Sequence, residues 1–507
     1  MRSKNIIYNI STNLLLQIVV VIYGFIVPKI IISLFGSSVN GLITSITQFL
    51  AYITLLESGF GPIVKATLYK PIANKDKKKI FSILKTTEKF FRKISIIFVI
   101  YIIFLMFFYP LIISNEFNYL YTISLIIIIS MSTFAEYFFG MTYKLYLQAE
   151  QKTYIISLIQ ILTYILSIII IIILANLNFS IHIIKLASGL IFVIRPLLQN
   201  LYVKKKYNIN FKNVDDSYKI KNKWDGLAQH IASVIHSNTD ITILTVFSSL
   251  IEVSVYSIYL LIVTGIKLII QSFSNGIDAS FGDMIAKNEY ANLNKKFHFY
   301  EVMYFIITTI IFSSTIILIV PFVSVYTKDI NDANYVRYLF GTLIVISEFI
   351  WAIRLPYSSI TLAAGHFKET RLGAWIEAIS NIIISIILVI KYGIIGVTIG
   401  TIVAMTIRTI EFVYHTNKYI LKRNIMKSVS KIILVVIETL IIVLISKKIP
   451  MLENVSYVNW ILNAILVSSV SSTIVLIVNF IFYRSEIKEL LSIIKKFFKK
   501  KEGLKYE

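Results

Sequence analysis

The sequence predicts an all-helical protein that crosses a membrane about fourteen times. Of its 507 residues, 57% are hydrophobic and only 15% are charged, and the apolar residues form runs long enough to span a bilayer. A soluble protein has about a quarter of its residues charged. The composition therefore excludes a soluble enzyme and a disordered chain. Because the chain has no cysteine, disulfides and thiolate metal sites are excluded as well.

Apolar segments separated by charged residues or by Gly, Pro and Asn are interpreted as single transmembrane spans. Spans 1 to 6 are residues 6–35, 40–68, 91–113, 119–147, 154–174 and 181–203. Spans 7 to 12 are residues 224–247, 253–285, 299–326, 335–363, 372–390 and 394–415. Spans 13 and 14 are residues 429–445 and 458–482.

Lysine and arginine are concentrated in alternate connections, as at residues 70–79, 204–206, 287–296 and 418–427. Positive connections stay on the cytoplasmic side, so both termini are predicted to be cytoplasmic. The formal net charge of +23 is thus interpreted as a sign of the topology of a multi-pass membrane protein. Nucleic acid is not an expected partner.

An internal repeat divides the first twelve spans into two lobes. Residues 58–80 align with residues 275–297, pairing Gly59 with Gly276 and Lys70 with Lys287. Each lobe has six helices, an even number, so both lobes begin on the same side of the membrane. They are therefore related by a pseudo-two-fold axis along the membrane normal, which is a recurring transporter design. The predicted domains are an N-lobe (1–203), a cytoplasmic linker (204–223), a C-lobe (224–418), two extra C-terminal helices (427–482) and a basic amphipathic cytoplasmic tail (483–507).

Ionisable residues inside spans cost about 2.5 to 3.5 kcal/mol each, so each one is a candidate for a binding site. The basic candidates are Lys29, Lys267 and Arg354, and three embedded cations with few obligatory partners favour an anionic substrate such as a diphosphate. Arg195 and Arg408 lie near the cytoplasmic ends of spans 6 and 12, where we expect them to reach lipid phosphates.

Acidic and polar residues supply a second set of candidates. Glu57 ends span 2, and span 7 carries His236, Asn238 and Asp240. His236 and Asp240 are four residues apart and share a helical face, so they form either a proton-binding pair near neutral pH or a hydrogen-bonding pair. Further acidic residues lie in spans 4, 10 and 11, namely Glu136, Glu348 and Glu377.

The sequence lacks the motifs of several classes of enzyme. No GxxxxGK[ST] phosphate-binding loop and no HExxH zinc motif is present, and the outer connections are too short for the catalytic loop of a membrane-bound polymerase. We therefore expect no enzymatic activity, no cofactor, no metal site and no catalytic residues.

Three short motifs carry a family resemblance: LESGFG at 56–61, QAEQK at 148–152 and RPLL at 195–198. With the plan of six, six and two helices, the chain resembles the Wzx-type polysaccharide-transporter branch of the multidrug/oligosaccharidyl-lipid/polysaccharide (MOP) exporter superfamily. The resemblance implies a flippase that carries an undecaprenyl-diphosphate-linked oligosaccharide repeat unit across the cytoplasmic membrane by alternating access. Its product would enter O-antigen (lipopolysaccharide) or capsule polysaccharide biosynthesis.

The same resemblance implies that spans 1, 2, 7 and 8 line a central cavity, with Lys29, Glu57, Asp240 and Lys267 at the site. It also implies membrane lipids and a polysaccharide polymerase or chain-length machinery as partners, and coupling to H⁺ or Na⁺. Two alternatives stay open: a multidrug (MATE-like) cation antiporter, whose cavity should be acidic, and a flippase for lipid II or a teichoic-acid precursor.

Overall fold

The computed structural model describes residues 2–57, 59–209, 211, 227–274, 277–449, 451–452 and 454–492. Within these ranges the regular structure is helical, with no strand, and thirteen helices are long and apolar enough to cross a membrane. The predicted seventh span corresponds to a further helix, Leu227–Phe247, which carries a polar stretch at residues 236–240. The prediction of an all-helical polytopic protein is confirmed.

These apolar segments must form helices, because backbone N–H and C=O groups in lipid have to find their hydrogen-bond partners within their own segment. The first nine helices are α1 (Arg2–Phe35), α2 (Ser37–Ala51), α3 (Thr54–Glu57), α4 (Phe60–Ala73), α5 (Lys77–Ile112), α6 (Tyr119–Ala135), α7 (Met141–Ala149), α8 (Thr153–Asn176) and α9 (Ile181–Tyr207). The remaining nine are α10 (Leu227–Phe247), α11 (Leu250–Ser274), α12 (Asp278–Ala286), α13 (Tyr290–Tyr326), α14 (Tyr338–Ala363), α15 (Arg371–Tyr392), α16 (Ile394–His415), α17 (Met426–Ser446) and α18 (Tyr457–Phe482).

Span 2 was predicted as one continuous helix, and this is wrong: it is broken into α2, α3 and α4. Gly59 precedes α4 with a φ of 77°, a left-handed conformation that glycine adopts without a Cβ penalty. Span 8, the counterpart of span 2 in the second lobe, is also divided, into α11 and α12, while its residues 275–276 lie outside the described part. Span 4 is interrupted differently, by a π-helical turn at Glu136–Gly140 between α6 and α7.

The chain divides into two compact units. Unit 1 comprises Met1–Leu261, Asp329–Ala333 and Val389–Ile394, and unit 2 comprises Ile262–Lys328, Asn334–Leu388 and Ile395–Glu507. The predicted boundary between lobes at residues 204–223 stays a prediction, since most of that linker, residues 210 and 212–223, lies outside the described part.

Each unit has its own apolar core. In unit 1, α1 packs against α8, and α8 and α6 pack against α9. In unit 2, α13 is central and contacts α14, α17 and α18, where Val302, Ile442 and Val475 are buried together. The aromatic rings of Phe312 and Phe349 stack between α13 and α14 with centroids 5.1 Å apart.

The lipid-facing side of a span is visible in α5. Ile96, Ile100 and Phe104 recur at helical spacing and are exposed, whereas Phe91 and Phe98 are buried. Beyond α18, residues 484–492 continue as a helix. The rest of the predicted amphipathic tail, from residue 493 onwards, lies outside the described residues.

Candidate functional site

Lys267 in unit 2 has both a carboxylate and an aromatic ring as partners. It lies on α11, and its Nζ is 2.7 Å from Glu348 Oε2 on α14 and 4.6 Å from the ring centroid of Trp351, one turn further along. The Lys267 side chain is 25% exposed, while that of Glu348 is 8% exposed. The ammonium is therefore paired and stacked on an aromatic face, yet still accessible to a second anion.

Arg354 points toward another helix. Its Nη1 donates to Glu377 Oε1 on α15 at 2.6 Å, and Glu377 Oε2 is 3.5 Å from Arg408 Nε on α16. Arg408 also pairs with Glu411 and donates to the carbonyl of Thr370 at 2.7 Å. These contacts join three spans through charges that are almost fully shielded from solvent.

The expectation that Arg408 reaches lipid phosphates is wrong, because this residue is only 3% exposed and is held by two carboxylates. Arg195 stacks on Tyr164 and Phe192, each ring centroid 4.1 Å from its guanidinium carbon, and its Nε donates to Thr163 at 2.5 Å. Arginines near span ends therefore bond inward because their neighbours offer carboxylates, hydroxyls and aromatic rings.

The argument that the embedded cations have few obligatory partners also needs correction. Lys267 and Arg354 each have a carboxylate within 3 Å, and Lys29 Nζ is 3.9 Å from Asp329. The side chain of Asp329 is 82% exposed, so that last pair is weak. Any anionic substrate must therefore compete with existing ion pairs.

The polar candidates of unit 1 have partners as well. Asp240 is buried and accepts a hydrogen bond of 2.7 Å from the hydroxyl of Tyr256 on α11. Asn238 accepts from Gln48 and donates to the carbonyl of Val234 at 2.6 Å. The side chain of His236 lies outside the described part, so its pairing with Asp240 stays a prediction.

Glu57 is placed by the break in span 2. It ends α3, just before Gly59, and its Oε2 accepts a hydrogen bond of 3.0 Å from Tyr137 in the π-helical turn. In the same turn, Glu136 pairs with Lys144 at 2.9 Å. The hydrogen bond from Tyr137 therefore joins Glu57 to span 4, whereas the hydrogen bond from Tyr256 joins Asp240 on α10 to α11.

Sequence reasoning missed a row of neutral contacts that joins α2 to α10 and α11 in unit 1. We call this row the α2 seam: Asn40 to Ser254 at 2.9 Å, Ser45 to Thr245 at 2.7 Å, and Tyr52 to Thr242 at 2.9 Å. Asn40 and Ser45 lie on α2 and Tyr52 directly follows it, and their uncharged side chains did not meet the rule that selects ionisable residues inside spans. Beside the seam, Asp332 accepts from the backbone N–H of Ser37 at 2.6 Å and so caps α2.

A buried charge cluster in unit 2 was missed too. Glu301 on α13 is fully buried and accepts from Arg423 at 2.9 Å, Tyr357 at 2.6 Å and Ser428 at 2.7 Å. It also pairs with Lys431 of α17. Glu301 and Lys431 are ionisable residues inside predicted spans 9 and 13, so the rule that selected Lys267 would have found them.

No family model and no curated protein matches this sequence. Solved structures do resemble its fold. The lipid II flippase MurJ in an inward closed conformation is 19% identical, with a TM-score of 0.68, and the match covers 95% of this chain and 100% of that chain.

Two structures of multidrug resistance MATE family transporters of the MOP superfamily are also similar. An inward-facing one is 13% identical with a TM-score of 0.60 and matches 79% of this chain and 95% of that chain. An outward-facing one is 14% identical with a TM-score of 0.56 and matches 82% of this chain and 96% of that chain. The chain therefore has the all-helical, two-lobe fold that these membrane transporters share.

Proposed function

We propose that the protein is a flippase that moves a lipid-diphosphate-linked glycan across the bacterial cytoplasmic membrane by alternating access. The observation that carries this proposal is the extent of the likeness to the lipid II flippase, which covers 95% of the chain, against 79% and 82% for the two MATE transporters. The 5% left outside the first match is fewer residues than α17 and α18 contain. That likeness therefore extends into the C-terminal pair of helices.

Lys267 is the residue we assign to the diphosphate. Its ammonium has one carboxylate partner, rests on Trp351 and is 25% exposed, so a phosphate oxygen can approach it without first uncovering a buried charge. Lys29, weakly paired to an exposed aspartate, is the second candidate. Arg354 is more completely enclosed, with a side chain 11% exposed, and its bond to Glu377 favours a structural contribution.

Coupling to H⁺ or Na⁺ is proposed to involve Asp240 and Asn238, with Glu57 and His236 as further participants. The buried Asp240 carboxylate, bonded to Tyr256, supports this assignment because an embedded carboxylate binds a proton or a cation readily. The proposed partners are membrane lipids and the polymerase or chain-length machinery of O-antigen or capsule synthesis. No bond of the substrate is made or broken, so no enzymatic step is proposed.

The glycan is the part of the proposal with two candidates. The family resemblance favours an undecaprenyl-diphosphate-linked repeat unit, and the fold likeness favours lipid II, which has the same diphosphate. Both substrates place the same negative charge near the membrane surface. Lys267 alone does not distinguish them.

The proposal is tested by reconstituting the full chain in liposomes with either lipid-linked glycan and measuring its movement between leaflets. Replacing Lys267 alone would leave Glu348 buried without its cation and would risk unfolding. The informative comparison is therefore between Glu348→Gln and the double variant Lys267→Ala with Glu348→Gln. We expect wild type and Glu348→Gln to move the lipid, and the double variant to lose at least tenfold in rate.

Two outcomes would contradict parts of this proposal. Equal rates for the single and double variants would remove Lys267 from the site. Wild-type liposomes that export organic cations but move neither lipid would identify a MATE-like antiporter instead of a flippase. The preference between repeat unit and lipid II follows from the ratio of the two wild-type rates.

A further inference from the structure

The C-terminal pair of helices contains a buried carboxyl group, that of Glu438. Glu438 on α17 is 1% exposed, and its Oε1 accepts a hydrogen bond of 2.6 Å from the side-chain amide of Asn479 on α18. Among the described residues, no lysine, arginine or histidine nitrogen lies within 4 Å of this carboxyl group. The predicted span 13 includes Glu438, so the group is embedded at membrane depth.

Glu438 also borders a small cavity between α13, α17 and α18. Polar groups enter this cavity from three directions: Lys431 from α17, Asn479 from α18, and Tyr483 from just beyond α18. Val302 and Phe305 of α13 close its remaining side. Polar side chains therefore share this cavity with the carboxyl group of Glu438.

Glu301 shows what the same residue type requires when it is ionised in this environment. Its fully buried carboxylate has Lys431 and Arg423 as counter-charges and two further donors, Tyr357 and Ser428. Among the described residues, the carboxyl group of Glu438 has one hydrogen-bond donor, the neutral side-chain amide of Asn479. Because an isolated ionised carboxylate is far costlier to bury than its neutral form, Glu438 is favoured to carry a proton.

A chain of titratable groups connects this cavity to the predicted cytoplasmic surface. Lys431 Nζ, which lines the cavity, is 2.9 Å from His298 Nδ1, and His298 Nε2 is 3.0 Å from Glu486 Oε1. The side chain of His298 is 36% exposed and that of Glu486 is 16% exposed. The ring of Tyr483 packs against His298 with centroids 6.3 Å apart.

Glu486 is the last member of this chain, two contacts away from Lys431. Burial alone would raise the pKa of Glu486, but hydrogen bonds from Ser485, its own backbone N–H and His298 together hold that pKa below its usual value. Glu486 is therefore an ionised acceptor at neutral pH, next to a histidine that can be protonated or neutral.

We propose that Glu438 and Asn479 form a proton-binding site in the α17–α18 pair, loaded from the predicted cytoplasmic side through Glu486, His298 and Lys431. The ligand is a proton, and the site is separate from the residues assigned to substrate and ion coupling above. Glu301, Lys431, His298, Tyr483 and Glu486 are the titratable groups that surround it. The site does not depend on the proposed flippase function.

The test uses the purified full chain in liposomes and a hydrophobic carbodiimide, which reacts with protonated carboxyl groups in apolar surroundings. Labelled peptides are quantified by mass spectrometry from mildly acidic to alkaline pH. We expect Glu438 to be labelled at acidic and neutral pH and progressively less as the pH rises. Glu301, buried to the same extent but ion-paired, should stay unlabelled throughout and serves as the matched control.

Infrared difference spectroscopy of the same samples supplies a second measurement that needs no reagent access. The C=O band of a protonated carboxyl group should disappear in Glu438→Gln and remain in wild type at the same pH. Asn479→Leu removes the hydrogen bond to the ionised form and should move the midpoint of the band to higher pH. A band that is unchanged in Glu438→Gln would overturn the proposal.

Transport is measured in parallel so that the two proposals fail separately. A protein that moves no lipid-linked glycan but loses the carboxyl band in Glu438→Gln retains the proton site and loses the flippase assignment. A protein that moves the lipid and shows no titrating carboxyl group at Glu438 retains the flippase assignment and loses the proton site.

Discussion

Unit 2 fixes its helices with buried ion pairs, whereas the α2 seam in unit 1 joins helices through hydroxyl and amide groups. In unit 2 the pairs are Arg354–Glu377, Arg408–Glu377 and the cluster around Glu301. In the seam, Ser45 and Thr245 are both buried and share one neutral hydrogen bond. The two regions therefore use different chemistry for the same task of joining spans.

The difference matters because the two kinds of contact differ in the cost of breaking them. Removing one partner of a buried ion pair costs about 3 to 5 kcal/mol, since the other charge is left without compensation. Neutral hydrogen bonds between membrane helices average about 0.6 kcal/mol. In the transport cycle proposed above, the seam is thus suited to open and close repeatedly, and the ion pairs are suited to hold helices together throughout.

The largest effect is expected at the Glu301 cluster. Glu301→Ala leaves Lys431 and Arg423 buried without their carboxylate, so the free energy of unfolding should fall by about 3 to 5 kcal/mol. Unfolding in mixed micelles of mild detergent and dodecyl sulfate measures this change. The control is Asp283→Asn in the exposed pair with Lys287, whose two side chains are 59% and 60% exposed. Similar losses for the two variants would show that burial does not govern the cost.

A smaller effect is expected where one charge keeps a second partner. Arg354→Met should cost about 1.5 to 3 kcal/mol, the range for a hydrogen bond to a charged group, because Glu377 still has Arg408 at 3.5 Å. In a Glu377→Gln background the same substitution should cost clearly less. Double-mutant cycles of unfolding free energies give this coupling. A cost that is the same in both backgrounds would mean that Arg354 is held by something other than Glu377.

The number of spans was predictable because each needs about 20 apolar residues and is followed by charged connections. The positions at which a helix is interrupted within a span were not predictable. Gly59 interrupts span 2 through a local backbone conformation, and the apolar pattern continues across it from α3 to α4. Hydropathy therefore locates a membrane crossing but does not reveal where its helix stops and restarts.

The charged candidates were recognised as individuals and not as pairs. Spacing along one helix relates residues three or four apart, so it cannot match Lys267 on α11 with Glu348 on α14. For the same reason, Arg354 and Glu377 were named as separate candidates and were not recognised as partners. Glu438 was overlooked although its position inside span 13 satisfied the rule used for the others.

The smallest effects are expected in the α2 seam, where they should appear as a change in helix separation more than in stability. Tyr109 donates to Ser45 at 2.8 Å, Ser45 contacts Thr245 at 2.7 Å, and Thr245 donates to the carbonyl of Ile241 at 2.8 Å. Thr245→Val removes the last two bonds of this chain, of which the bond to Ser45 joins two helices and the bond to Ile241 lies within α10. We expect a loss of about 0.6 kcal/mol, which corresponds to about a threefold shift in an opening equilibrium.

Because the chain contains no cysteine, that shift is measurable with a single introduced thiol. Ser254→Cys places the thiol at a fully buried seam position, and an impermeant maleimide added outside right-side-out vesicles reports its exposure. Labelling should be about threefold faster with Thr245→Val than without it. Ser167→Ala is the control, because it removes a buried bond of 2.8 Å to Ser188 between α8 and α9, away from the seam. If both substitutions accelerate labelling equally, the seam is an ordinary helix contact and its neutral chemistry has no part in opening.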